Sequence, residues 1–287
     1  MIQIKFYITT AIIYTNAKPH IGFALELAQA DAIARFHRIK GDDVFFLTGS
    51  DEHGIKNERA AKEAGLSTQA FVDKNTAAAV NLAKRLNISN DFYIRTSDKK
   101  THYPTAQDVW SRLVKAKDIY KKKYTGLYCS GCEAFVKESD LVDGNCPIHN
   151  REPETVEEEN YFFKLSKYQD KIIKLIESDK YLITPSSKKN EILNFIKGGL
   201  EDISFSRSKE NLSWGIPVPD DPKQTIYVWC DALTNYLSGI GYTYDKKKFK
   251  KYWPADVHLV GKDITKFHAI YWPAMLLSAK IPLPKNL

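Results

Sequence analysis

The first fifty residues read as strand, helix, strand, and that succession commits the chain to a parallel sheet. Phe6-Tyr7-Ile8-Thr9-Thr10-Ala11-Ile12 is β-branched and aromatic, the composition of a buried strand. A polar turn, Asn16-Ala17-Lys18-Pro19, follows. Apolar residues then recur as Ile21, Leu25, Ala28, Ala32, Phe36 and Ile39, at spacings of three and four that mark one face of a helix, with Gly41 as its stop. Val44-Phe45-Phe46-Leu47 is the second strand, and Thr48-Gly49-Ser50-Asp51-Glu52-His53-Gly54 is the loop at its end.

Further helices are predicted over residues 67–86 and 105–117. From Tyr124 to about Tyr161 turns, cysteines and glutamates replace the α/β alternation, which reads as an insertion extending to about Pro222. Strands at 225–229 and 257–260 and a helix over 264–279, ended by Pro282, return to the first pattern. The expected organisation is an α/β domain in two halves, 1–117 and 223–287, split by an insertion over 118–222.

The charge balance is modest: 42 Lys+Arg against 35 Asp+Glu gives +7. Much of the excess sits in Lys121-Lys122-Lys123 and in Lys246-Lys247-Lys248 with Lys250-Lys251, runs that form solvated faces and also permit a polyanion such as RNA. No apolar run is long enough to cross a bilayer, so no membrane partner is expected. The apolar stretch 6–17 lacks a clean cleavage site and is interrupted by Thr9, Thr10, Thr15 and Asn16, which argues against a signal peptide. Three of the four cysteines crowd into one segment, which points to metal rather than disulfides and to a reducing, cytoplasmic setting.

Four patterns carry chemistry. Pro19-His20-Ile21-Gly22 stands where the first strand meets the first helix, and a helix N-terminus offers free N–H groups to phosphate. His20 adds a donor for charge on a transferring phosphoryl group, and Gly22 lets a ligand approach the backbone. The same residues also suit a plain capping histidine beside a packing glycine. Cys129-x2-Cys132, thirteen residues, then Cys146-x2-His149 is the spacing of a zinc knuckle, and with all four positions filled the metal is structural. Cys230 is left as a buried thiol. Asp51, at the end of a parallel strand, is placed to receive an ammonium group, or else belongs to a solvated acidic loop. Finally Trp229, Ala232 and Tyr236, with Ile264, His268 and Trp272 at four-residue spacing, form either a pocket wall or core.

Read in order, the strand–His-Ile-Gly–helix junction, T-G-S-D-E-H-G, the C-x2-C…C-x2-H segment, E-E-N-Y-F-F-K-L, W-G-I-P, Y-V-W-C-D-A-L and G-K-D-I-T-K-F-H resemble the methionyl-tRNA synthetases of the single-zinc-knuckle bacterial type. The resemblance runs from Phe6 to Leu287. It implies a class I synthetase catalytic part: an α/β, Rossmann-like parallel sheet split by a zinc-binding connective-peptide insertion, with the knuckle at about 124–161. It implies methionine, ATP with Mg²⁺, and tRNA(Met) as partners, no DNA, and a structural Zn²⁺. Activation of methionine to the adenylate needs no general base, because the attacking carboxylate is already ionised. Alignment and charge neutralisation are what remain for the protein to supply.

The resemblance further places His20 and Asp51 as catalytic, and His20, Gly22, Gly261, Lys262 and Asp263 at ATP. It places Ala11, Ile12, Tyr14, Asp51, Trp229, Ala232, Leu233, Tyr236, Ile264, His268 and Trp272 around methionine. Three departures stand out. Phe23 occupies the last position of the H-[IL]-G-H motif and cannot donate to a nucleotide. Ala11 and Ile13 replace proline and tyrosine at the pocket wall. The chain stops at Leu287, before the family's K-M-S-K-S loop and anticodon-binding domain, so it is expected to be a fragment of such an enzyme. The alternatives are another class I synthetase, or a truncated, non-catalytic paralogue that binds methionine or RNA.

Overall fold

In the computed structural model residues 4–132 and 134–287 are described. The chain begins with β1 (Lys5–Thr10) and a two-residue β2 (Ile13–Tyr14), then crosses through α1 (Ile21–Ile39) to β3 (Asp43–Asp51). Helices α2 (Ile55–Glu63) and α3 (Thr68–Arg85) lead to β4 (Phe92–Arg95), and α4 (Tyr103–Lys115) closes this half. β1 and β3 are buried almost throughout, as expected of strands covered on both faces. β3 is longer than the predicted strand: residues 48–51 pair within the sheet, and residues 48–53 are all buried, so this is no solvated loop.

α1 corrects the periodicity reading. Its buried side is Phe23, Leu27, Ala30 and Ala34, the alanines against the sheet and the other two against residues 79 and 83, while Ile21, Leu25, Ala28, Ala32, Phe36 and Ile39 are exposed. The helix is apolar on two opposite faces, and spacing alone cannot tell which one meets the sheet.

The middle of the chain is antiparallel. β5 (Ile119–Cys129), β6 (Ala134–Val136) and β7 (Glu154–Phe163) form a long ribbon, with Lys123 opposite Glu159, and Lys121 Nζ lies 3.3 Å from a Glu159 carboxylate oxygen. Two helices that the sequence reading did not anticipate, α5 (Gln169–Glu177) and α6 (Ser186–Lys197), follow. Their Ile172, Ile176, Ile192 and Ile196 join Trp110 of α4 in one continuous core. β8 (Ile203–Ser204) extends the ribbon, and β9 (Ser206–Ser208), β10 (Pro217–Val218) and β11 (Asp221–Ile226) make a small antiparallel sheet.

The strand predicted at 225–229 therefore ends at Ile226, and it belongs to this small sheet. Val228 already opens α7 (Val228–Leu233), which runs into α8 (Asn235–Ser238). α9 (Lys246–Tyr252) carries the second lysine run, with Lys251 paired to Asp43 and Lys248 3.9 Å over the Phe45 ring. β12 (Val257–Leu259) returns to the parallel sheet, whose order is β12-β1-β3, with β2 and β4 both pairing β3. The predicted helix over 264–279 is interrupted: a 3₁₀ turn at Lys262–Ile264 and a π turn at Phe267–Tyr271 precede α10 (Trp272–Ala279).

Candidate active site

A cavity of about 630 Å³ lies beyond the carboxyl ends of β1, β3 and β12, where parallel sheets hold ligands. Its walls come from the Ala11–Tyr14 stretch, the start of α1, Asp51, α7 and α8, and the segment after β12. Fifteen of the sixteen residues predicted for ligand binding line it. The exception is Trp272, which is fully buried and packs against Tyr236, ring centroids 5.9 Å apart. Its indole N–H points to His258 Nε2 at 3.3 Å, so it backs the wall rather than forming it.

At one end, His20 is the N-cap of α1 and its Nδ1 accepts the Gly22 N–H at 3.0 Å. The capping reading of His20 thus holds, and it leaves Nε2 as the ring's donor. Gly261, Lys262 and Asp263 are exposed on the 3₁₀ turn across the cavity. Glu26, unmarked by any sequence motif, ties the two sides together. Its carboxylate accepts the Ala11 N–H at 2.6 Å and also bonds the Gly261 N–H. Burial pushes this carboxyl up to about 7 against the pull of those two N–H groups. Phe23 lines the cavity from a buried cluster with Leu27, Ala79 and Ala83, so its ring serves the packing of α1 on α3.

At the other end, the Tyr236 hydroxyl lies 2.7 Å from His268 Nε2, and His268 Nδ1 lies 3.0 Å from the Ile264 carbonyl. A carbonyl only accepts, so Nδ1 carries the imidazole proton and Tyr236 donates to Nε2. Burial depresses His268 to about 4, which keeps the ring neutral. Burial likewise raises the Tyr236 phenol well above its usual value. Trp229 stacks on Phe267 at 3.6 Å between centroids and meets His268 edge-on, so the π turn supplies one ring of the wall, His268, and backs another, Trp229. Asp51 stands opposite, mostly buried, beside Ala11, Ile12 and Tyr14, and Lys56 Nζ sits 5.7 Å over the Tyr14 ring. Ala232, Leu233 and Ile264 complete an otherwise apolar end. Lys56 and Glu26 lie outside the motifs, and only their position on helices that abut the strand ends marks them.

The ligand atoms of Cys129, Cys132, Cys146 and His149 all lie within 4.8 Å of one another. Cys132 Sγ is 3.5 Å from Cys146 Sγ and 3.3 Å from His149 Nδ1. Donors around one tetrahedral ion sit about 3.3–3.8 Å apart, so three thiols and an imidazole nitrogen fit a metal. Gly131 lets His149 close in, for a Cβ there would meet the ring at 2.3 Å, and Gly144 adopts φ +78°. All four cysteines are free thiols. Burial raises the Cys146 thiol, but His149 and the Ile148 and His149 N–H groups outweigh it and bring it down to about 6. Burial and the neighbouring thiols push Cys132 up to about 12. Accumulating thiolate charge opposes itself here, and a bound cation relieves it. Cys132 also lines the main cavity, so the two sites abut.

Among the described residues no helix is long and apolar enough to cross a membrane. The sequence matches the family described as tRNA synthetases class I (M) over residues 6–152 and 132–287. It is 52 % identical to a methionine–tRNA ligase of Caldanaerobacter subterraneus subsp. tengcongensis, over 98 % of this chain and 44 % of that protein. A methionine–tRNA ligase of Thermotoga maritima is 48 % identical over 98 % of this chain and 45 % of its own length. The fold superposes on Mycobacterium tuberculosis methionyl-tRNA synthetase in complex with methionyl-adenylate with a TM-score of 0.94, at 45 % identity, covering 99 % of this chain and 56 % of that one. Against the free state of the same enzyme the TM-score is 0.85, at 42 % identity, covering 99 % of this chain and 55 % of that one. The chain thus spans about half the length of the relatives it matches. Over that span it belongs to the class I tRNA synthetases of the methionine type.

Proposed function

We propose that this chain is the catalytic part of a methionine–tRNA ligase, which joins methionine to ATP as methionyl-adenylate and passes the methionyl group to the 3′ end of tRNA(Met). The observation that carries the reading is one cavity with two unlike ends. One end has a helix N-terminus, a histidine donor and exposed backbone at Gly261, as a triphosphate requires. The other is apolar and aromatic, with a carboxylate, Asp51, at its edge for an ammonium group. In this reading His20, Gly22, Gly261, Lys262 and Asp263 hold ATP with its Mg²⁺. Asp51 and the Ile12 backbone hold the amino acid's polar end. Ala11, Tyr14, Trp229, Ala232, Leu233, Tyr236, Ile264 and His268 enclose the thioether, with Trp272 behind them. The Cys129, Cys132, Cys146 and His149 set holds a structural Zn²⁺, and reduced cysteines suit the cytoplasm. Residues 1–117 and 223–287 then form the catalytic sheet, and 118–222 the connective peptide.

The closer match to the adenylate-bound relative than to its free state supports a cavity already shaped for such a ligand. The test is tryptophan fluorescence during titration with L-methionine, with leucine and norleucine as controls. Trp229 lines the cavity and reports directly. A saturable change with methionine that leucine does not produce is expected. A flat response from a folded chain would overturn the reading. Binding of methionine without methionine-dependent pyrophosphate exchange, even with the C-terminal half of a relative added, would favour the non-catalytic paralogue.

A further inference from the structure

One buried cluster beside the cavity has no part in the roles assigned so far. His53, His102 and Asp231 come from the end of β3, the start of α4 and the first turn of α7, and none is more than 1 % exposed. Asp231 Oδ2 lies 2.6 Å from His53 Nδ1, and its Oδ1 lies 2.6 Å from His102 Nε2. The outer ring nitrogens are also engaged. His53 Nε2 is 3.2 Å from the Tyr103 hydroxyl, and His102 Nδ1 is 2.9 Å from Ser238 Oγ. His53 is held edge-on by Tyr103 and Trp214 at 5.6 and 5.7 Å between ring centroids.

A carboxylate only accepts, so each ring turns an N–H toward it: His53 Nδ1–H donates to Oδ2 and His102 Nε2–H donates to Oδ1. The outer nitrogens meet the hydroxyls of Tyr103 and Ser238, which can donate or accept. Both carboxylate oxygens and all four ring nitrogens of this buried cluster are thereby engaged. Burial raises the Asp231 carboxyl, but the two imidazoles outweigh it and hold it below its usual value. The other ionisable groups around the cluster are Glu52, which is paired with Arg95, Asp98, which faces His102, and Tyr103 and Cys230, which burial keeps protonated.

Asp231 sits between Trp229 and the pair Ala232–Leu233, all three on the cavity wall, and His53 stands two residues from Asp51 on the facing wall. We propose that Asp231, clamped between His102 and His53, is a positioning residue that sets the width of the amino-acid end of the cavity. The inference rests on the functional reading above for its substrate, but not for the geometry of the clamp. In Asp231→Asn one oxygen becomes an N–H donor, so one imidazole must turn its proton outward or lose its bond to the side chain.

The test compares the unsubstituted chain with Asp231→Asn and His102→Gln. L-methionine binding is followed by tryptophan fluorescence and ATP binding by calorimetry, and ring-nitrogen NMR is recorded on the unsubstituted chain. The expected result is methionine binding weakened roughly ten- to a hundredfold in both variants, ATP binding within a factor of about two, and a proton on both His53 Nδ1 and His102 Nε2, the nitrogens that face Asp231. Folded variants that bind methionine as tightly as the unsubstituted chain would overturn the proposal. So would an unprotonated nitrogen at either of those two positions, a result that needs no variant to fold. If the unsubstituted chain fails to bind methionine, the functional reading falls, and the NMR result alone then decides the clamp.

Discussion

The half-buried cysteine cluster and the fully buried His53–Asp231–His102 cluster are both sets of metal-capable side chains, yet they are completed in opposite ways. In the first, three thiols and an imidazole hold their donor atoms within 4.8 Å of one another, an arrangement that one cation would complete. In the second, a carboxylate already occupies the centre and takes a donor on each oxygen. The first spans residues 129–149, so two tight turns assemble it. The second spans residues 53–231, and only the finished sheet brings it together. Local clusters can be finished late by an ion, whereas a cluster built from three distant elements must be finished by the chain itself.

The sharpest break in that comparison is chelation. Removing metal, or replacing Cys146 with Ser, is expected to abolish bound zinc and open residues 129–154 to protease while the parallel sheet stays protected. Metal analysis and limited proteolysis check this, and an unchanged cleavage pattern would mean that the knuckle, like the histidine cluster, is complete without an ion. The converse manipulation is Asp231→Ala. It leaves two buried imidazole N–H groups without their acceptor and is expected to cost about 2–6 kcal/mol of stability, with no dependence on added zinc. Thermal or urea unfolding reads it directly. Next in size is Tyr236→Phe, which removes a single donor and strands His268 Nε2 in the interior. The expected loss is about 1–3 kcal/mol, smaller than for Asp231 because one buried group rather than two loses its partner.

The same contrast explains what the sequence disclosed. The βαβ start, the clustering of the candidate metal ligands and the gathering of fifteen of the sixteen ligand-binding candidates around one cavity were legible, because short-range spacing or motif order carries them. The outward stripe on α1 was not, since Phe23, Leu27, Ala30 and Ala34 repeat with the same period on the opposite face. Trp272 fell behind the wall because the π turn at Phe267–Tyr271 shifts the helical phase on which a four-residue spacing relies. The strand expected at 225–229 is cut at Ile226 because Tyr227 caps α7, a tertiary choice that local β-propensity does not reveal. His53 was visible only as part of a loop, and nothing near it in the chain announces Asp231 or His102.

Glu26 gives a third way of burying an ionisable group, with neither metal nor imidazole, and so isolates what backbone donors do alone. Its carboxylate bonds the N–H groups of Ala11 and Gly261, yet burial still lifts it from 4.5 to about 7. A folded value above the unfolded one means that the native state binds the proton more tightly. The stability this contributes is therefore fully present below about 4.5 and is lost as pH rises through about 7. The charge that appears over that window stands at the end of the cavity assigned to a triphosphate, so ATP binding should weaken in the same direction. Glu26→Gln keeps an acceptor for one N–H but cannot ionise. It is expected to flatten both pH dependences between about pH 5 and about pH 8 while leaving the response of the Asp231 variants unchanged. Melting temperatures and ATP titrations at the two pH values measure this, and a Gln variant with the original slope would place the titrating group elsewhere.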